Sequence, residues 1–224
     1  MANKYYAMRT IHFSIMAVAL MFISCACSTD IKPAPDNSKK RPDCVMMGNS
    51  ITELWNKGRE HFFVENNIVS AGIGGHTSSD MLERFVNDVI SKKGKVVSIM
   101  AGINDIAQND GYISNADILN NIAQMADMAQ RSGSKVILCS VLPANTIGWN
   151  PAIRPADLVI DLNSRIKTYA ESHNCIYLDY WTRLVDNNTL GLPATLTTDG
   201  VHVTDECYKI MEEMFLATLK PLLK

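Results

Sequence analysis

An excess of charge of either sign is what this 224-residue chain most lacks: 21 Lys and Arg stand against 23 Asp and Glu, a formal net charge of −2. Such a balance leaves no basic footprint for nucleic acid. Cysteines are few, six in all, and neither a CxxC pair nor a histidine-rich stretch supplies a metal-ligand spacing. No internal repeat is visible. The glycine cluster Gly72-Ile73-Gly74-Gly75 lacks the third glycine of a dinucleotide fingerprint and follows the second expected strand. Without a phosphate-cradling loop, a flavodoxin-type phosphate-ligand protein is set aside. Apolar runs are short, and the most continuous, Ile11 to Ser24, falls below a comfortable membrane span.

That run is informative by its place. Lys4 and Arg9 precede it and small residues surround Cys25 and Cys27 after it, the layout of a secretory signal. Phe22-Ile23-Ser24-Cys25 resembles the bacterial lipobox, in which the cysteine is lipidated, although leucine is missing three positions upstream. The expected organisation is a lipoprotein-type signal over 1–24, with Cys25 lipidated and Cys27 as the second candidate, a flexible polar tether over 25–42 and one folded domain over 43–224. The location this implies is periplasmic or outer-membrane-anchored, with simple secretion as the alternative. Cys44, Cys139, Cys175 and Cys207 read as buried free thiols.

From Asp43 onward short aliphatic runs alternate with amphipathic stretches. The runs Cys44–Met47, Ile68–Ala71, Val96–Met100, Val136–Val141 and Ile176–Leu178 are near-continuous in hydrophobicity, as strands buried on both faces are. Thr77 and Asp80 form a capping box for a helix with the stripe Met81, Leu82, Phe85, Val86, Val89 and Ile90. A second helix carries Ile118, Ile122, Met125 and Ala129, and stops at Gly133. A third starts at Pro155 and is expected to bury Leu158, Leu162, Ile166 and Tyr169. The last runs from Thr204 through Tyr208, Met211, Phe215 and Leu219. This alternation predicts a doubly wound α/β domain whose ligand crevice lies beyond the carboxyl ends of the strands.

Three segments converge on that edge. Ser50 follows the first strand in Gly48-Asn49-Ser50, and a serine hydroxyl becomes a nucleophile when a base takes its proton. Asn104 follows the third strand in Gly102-Ile103-Asn104-Asp105, and its side-chain amide can donate to developing negative charge. In Asp199-Gly200-Val201-His202 the spacing lets the carboxylate reach the imidazole across a tight turn, leaving Nε2 as base. Gly72, after the second strand, is the expected backbone donor. Asp105 is read as ordering its loop, and His76 as a polar rim residue rather than the base. Read alone, each segment has a bland alternative: a helix cap at Ser50, a turn at Asn104-Asp105, surface polarity at Asp199 and His202.

Taken together, these blocks resemble the SGNH hydrolases, the GDSL-like lipase/acylhydrolase family. Ser50, Gly72, Asn104 and His202 stand in the order of its four blocks, with Asp199 as the acid, over roughly Asp43 to Lys224. The resemblance implies a flavodoxin-like three-layer α/β/α sandwich on a five-stranded parallel sheet. It also implies a two-step acyl-enzyme esterase with no metal or organic cofactor. Ser50, Gly72 and Asn104 would form the oxyanion hole. The chain departs from the family's usual Gly-Asp-Ser at Asn49, which keeps an acceptor oxygen but loses a charge. Asn49 and Trp149, the latter an aromatic in the polar loop Ala144 to Arg154, are candidate substrate contacts. A short-acyl, acetyl-type esterase of glycans is the expected activity. Lysophospholipase or arylesterase activity, or a non-catalytic glycan binder on a degenerate domain, are the alternatives.

Overall fold

The computed structural model of the protein describes residues 41–224. The expected signal, Cys25, Cys27 and nearly all of the expected tether lie outside the described residues. Arg41 and Pro42, assigned above to the tether, belong to the folded unit. The Arg41 guanidinium donates to the carbonyls of Lys93 and Gly94, and Lys95 N–H donates to the Pro42 carbonyl at 3.0 Å.

Five parallel strands form one sheet: β1 (Cys44–Gly48), β2 (Ile68–Gly72), β3 (Val96–Ile99), β4 (Lys135–Cys139) and β5 (Ile176–Leu178), in the order β2-β1-β3-β4-β5. Cys44 pairs with Ile68 on one side and Val96 on the other, so the central strands end almost level. The order reverses at β1, whose neighbours are β2 and β3, and this is where an open parallel sheet leaves a crevice. The helices are α1 (Ser50–Gly58), α2 (Glu60–Glu65), α3 (Ser78–Asp88), α4 (Ile103–Ile106), α5 (Asn115–Arg131), α6 (Pro155–Ser172), α7 (Tyr180–Leu184) and α8 (Asp205–Leu222). In one layer α3, α5 and α6 pack in succession. In the other, Trp55 of α1 stacks on Phe62 of α2 and Tyr208 of α8, with ring centroids 5.3 and 5.5 Å apart. The result is a three-layer α/β/α sandwich of the flavodoxin-like kind.

Local chemistry sets the element ends. The Asp80 carboxylate accepts from Thr77 N–H at 2.8 Å, closing the capping box of α3. Strand β4 stops at Cys139, short of the expected Val141, because the Asn163 side chain of α6 takes over: it accepts from Val141 N–H at 2.7 Å and donates to the Val141 carbonyl at 2.9 Å. Two expected core positions face outward. Val86 and Leu158 are exposed, while Phe85 and Val159 beside them are buried. One residue is about 100° of helix rotation, and the stripes that meet the sheet are Met81-Phe85-Val89 and Val159-Leu162-Ile166-Ala170. Cys44, Cys139, Cys175 and Cys207 are free and buried, and burial pushes the Cys139 and Cys207 thiols up to about 12. Among the described residues no helix is long and apolar enough to cross a membrane.

Candidate active site

The junction of β1 and α1 sets the first half of the site. Asn49 is the N-cap: its Oδ1 accepts from Ile51 N–H at 3.0 Å. It is 2% exposed, so the expected substrate contact is instead a buried cap turned to its own helix. That cap leaves the Ser50 hydroxyl available, because Ser50 is the first helical residue rather than the cap. Its N–H lies in the first turn, where backbone N–H groups have no acceptor within the helix.

His202 arrives from the other end of the chain. Thr197 and Val203 form an antiparallel bridge, and Thr198 N–H donates to the His202 carbonyl at 2.9 Å, closing a tight loop before α8. Gly200, at φ +90°, makes the bend. Asp199 Oδ1 accepts from the N–H groups of Val201 and His202 at 3.0 and 2.7 Å, while Oδ2 faces His202 Nδ1 at 2.7 Å. His202 Nε2 lies 2.9 Å from Ser50 Oγ. A carboxylate on Nδ1 fixes the proton there and leaves Nε2 to accept from the hydroxyl. Burial alone would raise the Asp199 carboxyl, but the hydrogen bonds from the His202 ring and the two N–H groups outweigh it and hold it below 3.8.

After β3, Asn104 on α4 is buried and donates through Nδ2 to the His76 carbonyl at 2.9 Å. A carboxamide nitrogen carries two hydrogens, so one remains to be aimed elsewhere. Gly72 is not placed as expected. Its N–H is turned to Ser70 Oγ at 3.3 Å, and a Cβ there would lie 2.4 Å from the Glu53 backbone nitrogen, so Gly72 lets β2 pack against α1. The glycine turn that approaches Ser50 comes next. A Cβ on Gly74 would stand 3.7 Å from Ser50 Cβ, and Gly74 N–H is occupied by Glu53 Oε2 at 2.7 Å. Gly75, at φ +79°, is exposed, and its carbonyl accepts from Asn109 Nδ2 at 3.0 Å. Asp105 orders the loop: it accepts from Ser78 N–H at 3.0 and 2.9 Å and from Ser78 Oγ at 2.6 Å, while burial raises its carboxyl despite those bonds. His76 Nδ1 accepts from Arg84 Nε at 3.1 Å, a rim position.

Trp149 stands at the rim, 46% exposed, its ring centroid 6.0 Å from that of His202 and inclined by 39°. Its Nε1 donates to Asn109 Oδ1 at 2.9 Å, so Asn109 ties the glycine turn to the Trp149 loop. Asn109 escaped the sequence reading; Asn109-Asp110-Gly111 shows there only as a turn signal. Arg84 also escaped it, because an arginine on a helix carries no local mark of its partners.

Residues 46–210 match the model of the GDSL-like lipase/acylhydrolase family. A GDSL-like lipase from Bacteroides thetaiotaomicron VPI-5482 is 38% identical, over 82% of this chain and 90% of that one, with a TM-score of 0.79. A Bacteroides fragilis NCTC 9343 protein assigned as an acylhydrolase is 39% identical, over 86% and 92% of the two chains, with a TM-score of 0.80. An acetylxylan esterase from Geobacillus stearothermophilus, solved as a catalytic mutant, shares the fold at a TM-score of 0.64 and 20% identity, over 79% and 93%. A shorter stretch of 79 residues is 34% identical to the uncharacterized lipoprotein YqeF of Bacillus subtilis (strain 168); it spans 34% of this chain and only 32%, about a third, of that relative. With most of the folded domain matched and two relatives aligned over nearly their whole length, the chain belongs to the GDSL-like lipase/acylhydrolase family and is a carboxylic ester hydrolase.

Proposed function

We infer that the protein is a serine esterase that removes short acyl groups, acetyl above all, from glycans. The observation that carries the mechanism is the continuous relay Ser50 Oγ, His202 Nε2, His202 Nδ1, Asp199 Oδ2, with separations of 2.9 and 2.7 Å. His202 takes the Ser50 proton as the oxygen attacks the ester carbonyl. The oxyanion is met by the Ser50 N–H, the remaining Asn104 N–H and the Gly75 N–H, the last in place of Gly72. The alcohol leaves with the proton from His202, and water, deprotonated by the same imidazole, cleaves the acyl-enzyme.

The half-exposed Trp149 ring near the imidazole supports the glycan reading, because an aromatic face among polar groups suits a sugar ring. The acetylxylan esterase that shares the fold is consistent with an acetyl leaving from a sugar. The capping role of Asn49 removes the main ground for a degenerate, binding-only domain. We further infer export as a lipoprotein acylated at Cys25; incorporation of a labelled fatty acid that survives Cys27→Ser and is lost in Cys25→Ser tests it.

The deciding assay compares acetylated xylo-oligosaccharides, aryl esters of rising chain length and lysophospholipid. The expected order has the sugar acetates first and activity falling beyond short acyl chains, with Ser50→Ala inactive on all. Retained turnover in Ser50→Ala overturns the mechanism. Faster turnover of lysophospholipid overturns the substrate class in favour of the family's lipase-type activities.

A further inference from the structure

One arginine lies behind the site with four of its five N–H groups engaged. Arg84, on α3, has a side chain only 12% exposed. Its Nη2 donates to the Gly48 carbonyl at 3.1 Å, and its Nη1 to the Ala71 carbonyl at 2.8 Å and the Asp88 carboxylate at 2.9 Å. Its Nε donates to His76 Nδ1 at 3.1 Å. A guanidinium has no acceptor, so the His76 lone pair must sit on Nδ1.

These acceptors have a pattern. Ala71 immediately precedes the Gly72–Gly75 segment, His76 immediately follows it, and Gly48 lies two positions before Ser50. His76 is held from its other side, where its carbonyl accepts from Asn104. A segment with glycine at three of four positions samples wide backbone space. A donor in such a segment stabilises developing charge well only if it is fixed beforehand, because reorienting it during the reaction forfeits the gain.

The geometry points to Arg84 as a positioning residue for the oxyanion side of the site: its planar fork fastens both ends of the glycine turn to the end of β1. The Gly75 N–H and the Asn104 amide are thereby aimed at the atom that Ser50 attacks. This inference rests on the serine-esterase reading above. A purely helical role for Arg84 would need only the Asp88 pair one turn on; the other three bonds leave the helix. Lysine is no substitute, since a single ammonium cannot reproduce a planar fork with divergent donors.

The test uses the whole protein and an aryl acetate, with active sites counted by a phosphonate that labels Ser50. In Arg84→Ala, kcat per titrated site falls by about 100-fold, the size expected when reacting groups are displaced by about 1 Å, while KM moves by less than about threefold. Millimolar guanidinium restores a measurable part of that loss. Because Arg84 acts partly through the Asn104 amide that it helps to aim, Arg84→Ala combined with Asn104→Ala loses less than the product of the single losses. A melting temperature that drops while kcat per site holds, or single losses that simply multiply, overturns the assignment. Should Arg84→Ala fail to fold, Arg84→Lys decides: a stable variant with full kcat overturns it, and one with impaired kcat and unchanged KM supports it. Wild type inert towards every ester would bring down the esterase reading and this inference with it. Active wild type, silent Ser50→Ala and unimpaired Arg84→Ala would bring down this inference alone.

Discussion

Glu212 grips Arg59 through both carboxylate oxygens, Nε to Oε1 at 2.6 Å and Nη2 to Oε2 at 2.7 Å. Trp55 Nε1 adds a third bond to Oε1 at 3.0 Å. The clamp joins the far end of α1, which begins at Ser50, to α8, which begins three residues after His202. It therefore helps hold the two halves of the relay in register. Both side chains are nearly buried, so deleting one partner strands the other; Glu212→Ala is expected to cost about 3 kcal/mol. For a domain of this size that lowers the melting temperature by about 6–12 °C. Burial alone would raise the Glu212 carboxyl, but Arg59 and Trp55 outweigh it and hold it below 4.5. A carboxyl lowered by folding contributes fully above its unfolded value and loses that contribution as pH falls through the folded one. Wild type should thus lose stability below about pH 4.5 more steeply than Glu212→Gln, measured by denaturant midpoints across pH.

Gly72 separates packing from chemistry. Its missing Cβ would collide with backbone atoms, Glu53 N at 2.4 Å and Thr52 C at 2.7 Å, which cannot swing aside as a side chain can. Gly72→Ala should destabilise by about 3 kcal/mol, with activity lost only as the fold is lost. Gly75→Ala meets no atom within 4 Å, but its φ of +79° strains any other residue. That variant should stay folded and lose at least about tenfold in kcat as its N–H turns away. If Gly72→Ala melts like wild type yet is inactive, the oxyanion role returns to Gly72.

How far these relationships were legible depends on their range. Strands of aliphatic residues, the Thr77–Asp80 box and Pro155 at a helix start are written within a few neighbouring positions, and all appear, the strand ends within two residues of the expected ones. The approach of Ser50 to His202, 152 positions apart, became readable through the rule that parallel strands present their carboxyl ends together, aided by a family resemblance. The Arg59–Glu212 clamp and the contacts of Arg84 have no such rule. Their partners are set by how helices rotate and slide in the packed molecule, and a one-residue phase difference already misplaced Leu158. Gly72 and Gly75 could not be told apart in sequence, since what distinguishes them is the space each faces.

Asn49 should behave as a cap. Asn49→Ala removes the acceptor for Ile51 N–H and is expected to cost about 1 kcal/mol. Asn49→Asp restores the family's usual residue and keeps that acceptor, so kcat should stay within about threefold of wild type, because both residues cap comparably. A large gain in kcat with Asn49→Asp would show that the charge beside the nucleophile, rather than the cap, matters.

The carboxylate of Asp199 is expected to matter more than its contacts to backbone. Asp199→Asn can keep an acceptor for the Val201 and His202 N–H groups yet cannot stabilise an imidazolium, and kcat should fall by about 10³–10⁴-fold with the fold intact. Because the hydrogen bonds around it hold the Asp199 carboxyl below 3.8, it stays ionised as acid first silences the enzyme. The acid limb of kcat/KM should therefore follow a single protonation, and a two-proton limb would contradict the assigned role.

Trp149 offers the cleanest separation of substrate contact from loop order. The ring is half exposed, so Trp149→Ala should change stability by less than about 0.5 kcal/mol. If the ring is a sugar platform, kcat/KM for glycan acetates falls by about tenfold, the equivalent of about 1.4 kcal/mol of lost aromatic contact, and aryl acetates suffer less. The indole N–H, however, also holds Asn109, which in turn holds the Gly75 carbonyl. Trp149→Phe keeps a face and drops that hydrogen bond. A platform role predicts that Phe retains most of the activity on glycan acetates. A loop-ordering role predicts that Phe matches Ala and that Asn109→Ala reproduces the loss with every ester tested.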